Sequence, residues 1–475
     1  MASRPPNVLI FFADDQRFDT IRALGNPDIH TPNLDWLVRE GTAFTRACIM
    51  GGTVAAVCMP SRAMLMTGRT LFHLQDSGET IPEEHVMLPE LLRGAGYDTF
   101  GTGKWHNGPA SYARCFSHGD RIFFGGMDDH WNVPVCRFDP TGAYPEPRPH
   151  PFDPGTGTVE MQGKRFDQVA SGTHSSELFA DATIEFLHGR AGSGARARAG
   201  GDGCAPFLAY LSFMAPHDPR TMPQRFLTMY DPDRIPLPDA FLPEHPFDIG
   251  WRGRDELLES YPRTPAAIRR HLAEYYAMIS HLDAEVGRVI DALRTTGELD
   301  NTIIVFAGDN GLALGQHGLM GKQSTYDHSV HVPLLMAGPG IPRGERREAL
   351  CYLLDIYPTL CEMLGVAAPP SVEGRSLRPV LADPDAAVRD RLHFAYLDLH
   401  RAVTDGRHKL IEYVVDGERH TQLFDHAADP RELRNLAAEP GQGDNVRRLQ
   451  GELRELRERW DDPADTFWQV LEQGS

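Results

Sequence analysis

The chain has 475 residues, of which 41% are hydrophobic and 24% are charged, and its formal net charge is −19. This length and composition are typical of a large globular domain with a smaller one beside it. The net charge argues against a broad nucleic-acid-binding face, and no apolar run reaches membrane-spanning length. The cysteines are odd in number and show no CxxC or Cys/His metal spacing, so no disulfide framework is expected.

The first predicted element is a buried strand over residues 7–13 (NVLIFFA), which ends in Asp14 and Asp15. Such apolar runs are typical of parallel strands, and open α/β sheets bind ligands at the carboxyl edge of their strands. Two adjacent acids there repel each other, so we expect a cation or a basic partner. The alternative is a solvated turn. No export signal precedes the strand, which predicts a cytoplasmic protein.

A short helix is predicted over residues 32–40, with Thr31 as its cap. The segment CMPSR, which begins at Cys58, then predicts a thiol just before a second helix, because Pro60 suits a first helical turn. The free N–H groups and dipole of a helix N-terminus favour an anion. Arg62, one turn later, offers a planar fork for an oxyanion. The alternative is a buried cysteine that opens a core helix.

Further candidate residues follow later predicted strands. Lys104 and His106 are two residues apart on an extended segment, so their side chains share a face. His217 lies near two prolines after a second apolar strand, and a third strand ends in Asp309 and Asn310. Carboxylate and amide oxygens at two strand ends suit a hard cation such as Ca²⁺ or Mg²⁺ better than zinc.

The remaining segments are less regular. Irregular insertions that line a pocket are predicted over residues 107–170 and 221–262. A flexible surface loop is predicted over residues 191–203. Residues 264–297 carry a helical apolar stripe, and the histidines and acids on this helix are expected at the surface. Short strands from about residue 392, with turns at residues 405–406 and 416–417, predict an antiparallel sheet, followed by a polar helix over residues 443–460.

Six motifs together resemble the type I, formylglycine-dependent sulfatases of the alkaline phosphatase-like superfamily: ADDQR, CMPSR followed by TGR, GKWHNG, APHDP, GDNG and GKQSTYDHSV. They occur in the family's order between about residues 7 and 435. The resemblance implies an α/β sandwich with a large mixed, mostly parallel sheet between helices. It also implies a catalytic domain over residues 1–370 and a small C-terminal subdomain over residues 371–475, with an antiparallel sheet and a helix.

The resemblance implies an arylsulfatase-like enzyme that hydrolyses a sulfate monoester to an alcohol and inorganic sulfate. In that family a separate maturation enzyme oxidises the cysteine, here Cys58, to formylglycine. One divalent metal is implied, with Ca²⁺ as the expected ion and Mg²⁺ or Mn²⁺ as alternatives. Its implied ligands are Asp14, Asp15, Asp309, Asn310 and the oxygen at position 58. The implied catalytic residues are Cys58, Arg62, Lys104, His106, His217 and Lys322.

In the implied mechanism, one hydroxyl of the hydrated formylglycine attacks sulfur while Asp309 takes its proton. The second hydroxyl then expels sulfate, with His106 as base. A protonated His217 or Lys322 assists the leaving oxygen. The sulfate oxygens are held by Arg62, Lys104 and Lys322.

Two other functions remain open from the sequence. The same scaffold serves phosphonate monoester and phosphodiester hydrolases, which the motifs do not separate. A protein that keeps Cys58 as a thiol and only binds sulfated ligands is the second alternative. The expected substrate is a small-molecule or saccharide sulfate ester; neither a nucleic acid nor a membrane is expected as a partner, and the oligomeric state stays open.

Overall fold

The computed structural model describes residues 4–152, 163–192, 205–251 and 253–473. The loop predicted at residues 191–203 therefore lies, from residue 193 onward, outside the described residues, as does Cys204.

An eight-stranded mixed sheet forms the centre of the molecule. Its strands are parallel except at β11, which runs antiparallel to both of its neighbours. The mostly parallel sheet expected from the resemblance is confirmed. In spatial order the strands are β12 (Glu345–Arg347), β2 (Gly41–Phe44), β11 (Leu334–Ala337), β10 (Thr302–Gly308), β1 (Asn7–Ala13), β9 (Phe207–Ser212), β5 (Asp98–Trp105) and β6 (His118–Phe124).

The sheet has a hydrophobic core on each face. Successive side chains of a strand point to opposite faces, so in β1 Val8 and Ile10 belong to one core while Leu9 and Phe11 belong to the other. None of the helices among the described residues is long and apolar enough to cross a membrane. They are α1 (Pro32–Glu40), α2 (Cys58–Thr67), α3 (Leu88–Gly94), α4 (Pro109–Cys115), α5 (Ser175–Gly192), α6 (Gln224–Leu227), α7 (Pro265–Thr295), α8 (Asp327–Val330), α9 (Ile356–Leu364), α10 (Arg378–Ala382), α11 (Gly443–Trp460) and α12 (Asp465–Gln473).

A second, five-stranded sheet carries the C-terminal strands. The predicted antiparallel strands are confirmed, and the turn between the last two contains Asp416 and Gly417 with φ of 50° and 81°. The predicted helix α11 is also confirmed, whereas α12 was not predicted. In spatial order this sheet contains β17 (Glu418–Asp425), β16 (His408–Val415), β15 (His400–Thr404), β14 (Leu392–Tyr396) and β4 (Gly51–Gly52).

Residues 107–170 contain more regular structure than predicted. Helix α4 lies here, and β6 extends the large sheet by pairing with β5. The apolar pattern of β6 is weak in the sequence because β6 is an edge strand whose first half is polar and partly exposed. Two further short strands, β7 (Asn132–Val135) and β8 (Gln168–Ser171), pair with each other, and β3 (Ala47–Cys48) pairs with β13 (Cys351–Tyr352).

Helix α7 has the predicted extent, and its cap Thr264 accepts a hydrogen bond from the Ala267 N–H at 3.3 Å. The prediction that its histidines and acids lie at the surface holds for Asp291 but is wrong for most of them, because α7 packs against both α1 and α5. His281, Asp283 and Glu285 are buried.

The N-terminus of α1 also differs from the prediction, because the Thr31 side chain does not cap it. Asp283 of α7 accepts hydrogen bonds from the N–H groups of Asn33 and Leu34 instead. A cap supplied by a distant helix leaves no local signal in the sequence.

Candidate active site

The carboxyl ends of β1 and β10 bring the predicted oxygen ligands together. The two strands are parallel neighbours in a register that pairs their last residues, so the residues that follow them meet. Asp14, Asp15, Asp309 and Asn310 are all buried. The Asp15 N–H donates a hydrogen bond to Asp309 Oδ1 at 3.0 Å, which links the two strand ends.

Two oxygens of this group are buried without a hydrogen-bond partner in the described structure, Asp14 Oδ1 and Asn310 Oδ1. The Asn310 amide nitrogen donates to Asp15 Oδ1 at 2.7 Å, which fixes the orientation of the amide. A buried acceptor without a partner is costly, whereas a hard divalent cation is bound by such oxygens. Ligand atoms of Asp14, Cys58 and Asp309 lie within 4.8 Å of one another. The donor set therefore fits a divalent cation.

Cys58 lies at the centre of the predicted catalytic residues. It is the first residue of α2 rather than the residue before the helix. Its Sγ lies 3.4 Å from His106 Nδ1 and 3.6 Å from Lys104 Nζ. Burial raises the pKa of the thiol, although the nearby lysines act in the opposite direction. The unmodified sulfur is therefore a poor nucleophile, since the thiolate is the reactive form.

Both predicted lysines are paired with carboxylates of the candidate metal site. Lys104 Nζ forms an ion pair with Asp14, and Lys322 Nζ lies 2.6 Å from Asp15 Oδ1. Burial would raise the pKa of Asp14, but the positive charge of Lys104 and its neighbours holds it well below the ordinary value. This carboxylate is therefore ionised and available as a ligand.

Arg62 is buried and engaged with protein groups. Its guanidinium lies 2.8 and 2.9 Å from Asp309 Oδ2 and donates to Ser212 Oγ at 2.5 Å. The resemblance implies that Arg62 holds sulfate oxygens. In the structure the guanidinium orients Asp309.

The two predicted histidines have different electrostatic surroundings. Burial and the positive charge of Lys104 hold the pKa of His106 well below its ordinary value, so its imidazole is neutral. Burial also lowers the pKa of His217, but the negative charges of Asp15 and Asp218 outweigh it, and the net shift is upward. Neutral His106 can accept a proton, and His217 can donate one.

The pKa of Asp309 is shifted in the opposite direction from the pKa of Asp14. Burial and the neighbouring negative charge of Asp14 raise its pKa to about 7. A carboxyl with such a pKa exchanges protons readily near neutral pH, which suits a general base.

The structure also places a residue in this region that the sequence reasoning missed. Arg254 pairs with Asp218, the residue directly after His217, and with Asp255. Arg254 comes from an irregular segment without periodicity, so no sequence signal pointed to it.

A profile of the family described as "Sulfatase" matches residues 6–366. The chain belongs to the sulfatase family. It is therefore a hydrolase of sulfuric esters, and its α/β fold is that of the alkaline phosphatase-like superfamily. A second profile, "N-sulphoglucosamine sulphohydrolase, C-terminal", matches residues 315–459 of this sulfatase.

Individual relatives cover almost the whole chain. An arylsulfatase of Clostridium perfringens is 28% identical over 451 residues, which cover 91% of this chain and 90% of the relative. The solved phosphonate monoester hydrolase of Agrobacterium radiobacter is 25% identical, with a TM-score of 0.70 and 96% of each chain covered. A third protein, solved in complex with its substrate D-glucosamine-2-N,6-O-disulfate, is 22% identical with a TM-score of 0.70; the match covers 97% of this chain and 99% of that one.

Proposed function

We propose that the protein hydrolyses a sulfate monoester, with Cys58 converted to formylglycine and one divalent cation beside it. One observation carries this proposal: Cys58 lies within 3.6 Å of both a lysine and a histidine and next to buried oxygens that have no partner within the described residues. A sulfate ester needs a nucleophile, charge neutralisation and help for the leaving group. All three are available around position 58.

The cation would be held by Asp14, Asp15, Asp309, Asn310 and the side chain at position 58. An all-oxygen set favours Ca²⁺, with Mg²⁺ or Mn²⁺ as alternatives. When bound, it would neutralise negative charge on the sulfate and polarise the nucleophilic oxygen. Formylglycine, as its hydrate, would supply that oxygen in place of the inactive thiol.

The chain's own residues then have distinct proposed roles. Asp309, whose Oδ2 is held by Arg62, takes the proton of the nucleophile. Neutral His106, 3.4 Å from the position-58 side chain, acts as base in the step that releases sulfate. His217 or Lys322 donates a proton to the leaving oxygen. Lys104, Lys322 and Arg62 supply positive charge, with Arg62 acting through Asp309.

The proposed substrate class rests on the similarity to other sulfatases and not on substrate contacts of particular pocket residues. We propose a small-molecule or saccharide sulfate ester, in line with the glucosamine disulfate bound by one structural neighbour and with the C-terminal family profile. A formylglycine-generating enzyme is the proposed maturation partner. A cytoplasmic location stays a prediction.

A phosphonate monoester or phosphodiester hydrolase is the second candidate function. It is supported by the likeness to the phosphonate monoester hydrolase, which covers 96% of this chain. Rates on 4-nitrophenyl sulfate and on an aryl phosphonate, measured with the same preparation, separate the two functions. We expect the sulfate to be turned over with the higher kcat/KM.

The mass of the peptide that contains Cys58 tests the modification, in protein co-produced with a maturation enzyme. We expect the mass of formylglycine and a Cys58→Ala variant with at least about a 10⁴-fold lower kcat/KM. Cys361→Ala, at a buried cysteine on α9, is the matched control and should retain activity. An intact thiol in a fully active enzyme would contradict the proposal, and an intact thiol in an inactive one would favour the ligand-binding alternative.

A further inference from the structure

The two ring nitrogens of His217 have different partners. Nε2 lies 3.7 Å from Asp15 Oδ2, so it faces the candidate metal site. Nδ1 lies 2.9 Å from the backbone oxygen of Asp218 and 3.2 Å from its Oδ1. Both of these oxygens accept hydrogen bonds, so Nδ1 carries a hydrogen and donates it. Nε2 is then the nitrogen on the side of the candidate active site.

The Asp218 side chain is itself held in place. Arg254 donates to it with both terminal nitrogens, one at 3.2 Å from Oδ1 and the other to Oδ2. This is the two-point geometry in which a guanidinium binds a carboxylate most rigidly. Asp218 is buried, whereas 22% of the Arg254 side chain is exposed. The ion pair therefore fixes the Nδ1 side of the His217 ring, and the arginine of the pair is partly exposed to solvent.

A chain of hydrogen bonds extends from this pair to the other proposed proton donor. Arg254 donates to Asp255 Oδ1 at 3.0 Å, and Gln323 Nε2 donates to Asp255 Oδ2 at 2.6 Å. The backbone N–H of Lys322 donates to Gln323 Oε1 at 3.0 Å. His217 is thus linked by continuous polar contacts to the backbone of Lys322, which lies about a fifth of the chain further on.

We propose that Asp218 and Arg254 are positioning residues that hold His217 in register with Lys322 and with the departing oxygen of the ester. The inference rests on the proposed function. When the bond from sulfur to the leaving oxygen breaks, its electron pair goes to that oxygen. In its imidazolium form His217 carries a hydrogen on each ring nitrogen. The oxygen takes the proton of Nε2 and leaves as a neutral alcohol, while the ring becomes neutral and keeps the hydrogen on Nδ1. The ion pair touches neither sulfate nor alcohol and acts through the ring.

Two aryl sulfates with different leaving groups test this role. Asp218→Asn removes one charge of the pair, and Arg254→Lys keeps the positive charge but loses the fork. For both variants we expect a KM close to that of the wild type and a kcat on phenyl sulfate about 10- to 100-fold lower. On 4-nitrophenyl sulfate the loss should be much smaller, because the nitrophenolate leaves with little protonation.

Asp181→Asn is the matched control. It makes the same chemical change in an exposed ion pair, in which Asp181 Oδ1 lies 2.6 Å from an Arg288 nitrogen, and both rates should stay at the wild-type value. Equal losses on the two esters in Asp218→Asn and Arg254→Lys would overturn the inference, because they indicate a general loss of active enzyme. A raised KM with unchanged kcat would also overturn it, because the pair would then contact the substrate.

The inference and the proposed function can fail separately. If the wild type cleaves aryl phosphonates but not aryl sulfates, the proposed function is wrong, and the same comparison on phenyl and 4-nitrophenyl phenylphosphonate tests the ion pair. Crystal structures of Asp218→Asn and Arg254→Lys need no turnover. A displaced His217 ring is expected, and a ring in its wild-type position in both variants would overturn the inference.

Discussion

At the scale of single residues, the main feature is how the charges around Cys58 are paired. Each of the three buried aspartates at the two strand ends has a lysine or arginine partner. Removing one partner of a buried pair leaves an uncompensated charge and costs far more than losing an exposed pair. Two oxygens, on Asp14 and Asn310, still have no partner in the described residues. This combination of paired charges and free oxygens favours a cation site over a purely structural cluster.

Removal of the metal tests that interpretation. Ca²⁺ added to chelated wild type should raise its melting temperature, because a ligand at 100 times its Kd stabilises the folded state by about 2.7 kcal/mol. In Asn310→Leu the increase should be much smaller, since one oxygen ligand is gone. Thermal unfolding is measured in chelator and then with Ca²⁺, Mg²⁺ or Mn²⁺. The comparison gives both the rise in melting temperature and the metal that the site prefers. Asn445→Leu, on α11, should show the full increase; an equal increase in Asn310→Leu would place the cation elsewhere.

At the scale of elements, α1 depends on α7 for its N-terminal cap. Asp283 Oδ1 lies 2.7 Å from the Leu34 nitrogen, and Oδ2 lies 2.9 Å from the Asn33 side-chain nitrogen. These hydrogen bonds and the helix dipole favour the charged carboxylate. Burial is the larger effect and raises the pKa of Asp283 to about 6.

The pH dependence of stability follows from this shift. The folded pKa of Asp283, about 6, is above the unfolded value of about 3.9, so the folded state binds the proton more tightly. Its contribution to stability is complete below about pH 4 and is lost as the pH rises through about 6. At about 1.4 kcal/mol per pKa unit, the loss at neutral pH amounts to about 3 kcal/mol.

Asp283→Asn removes this titration. Melting temperatures of the variant and the wild type, measured between about pH 4 and pH 7, should therefore move in favour of the variant as the pH rises. Asp300→Asn, at an exposed acid, should show a difference that does not depend on pH. A trend of opposite sign in Asp283→Asn would mean that the helix N-terminus, and not burial, controls the carboxyl.

At the scale of the whole molecule, the C-terminal sheet is joined to the catalytic part by pairing and by charge. Strand β4, which precedes the Cys58 helix by a few residues, pairs with β14. Lys409 of β16 is fully buried, with Nζ 2.6 Å from Asp327 Oδ1 and 2.8 Å from Glu432 Oε1. Asp327 begins the short helix α8 that closely follows Lys322. The division into residues 1–370 and 371–475 stays a prediction.

Lys409→Met tests how strongly the two parts depend on each other. The substitution leaves buried Glu432 and partly buried Asp327 without the lysine, so the free energy of unfolding should fall by about 3–5 kcal/mol. Arg448→Met breaks an exposed pair with Asp405 and should cost less than about 1 kcal/mol. Chemical or thermal unfolding of both variants measures the difference. Equal losses in the two variants would contradict a joining role for Lys409.

The sequence by itself determined the elements and motifs that depend on local pattern. The apolar runs of β1 and β10, the stripe of α7 and the turn at Asp416 and Gly417 all appear where they were predicted. Local periodicity and turn chemistry are properties of neighbouring residues, so they can be read from the chain directly. The family motifs pointed to Cys58 and to the residues that surround it in the fold.

Only the tertiary structure decided which distant groups become partners. The pairing of Arg254 with Asp218, the capping of α1 by Asp283 and the engagement of Arg62 with Asp309 each join residues far apart in the chain. Polar side chains on α7 were expected in solvent because burial depends on what packs against a helix, and a helical pattern does not contain that information. Contacts of this kind arise from the packing of whole elements, and a local sequence pattern does not specify which elements pack together.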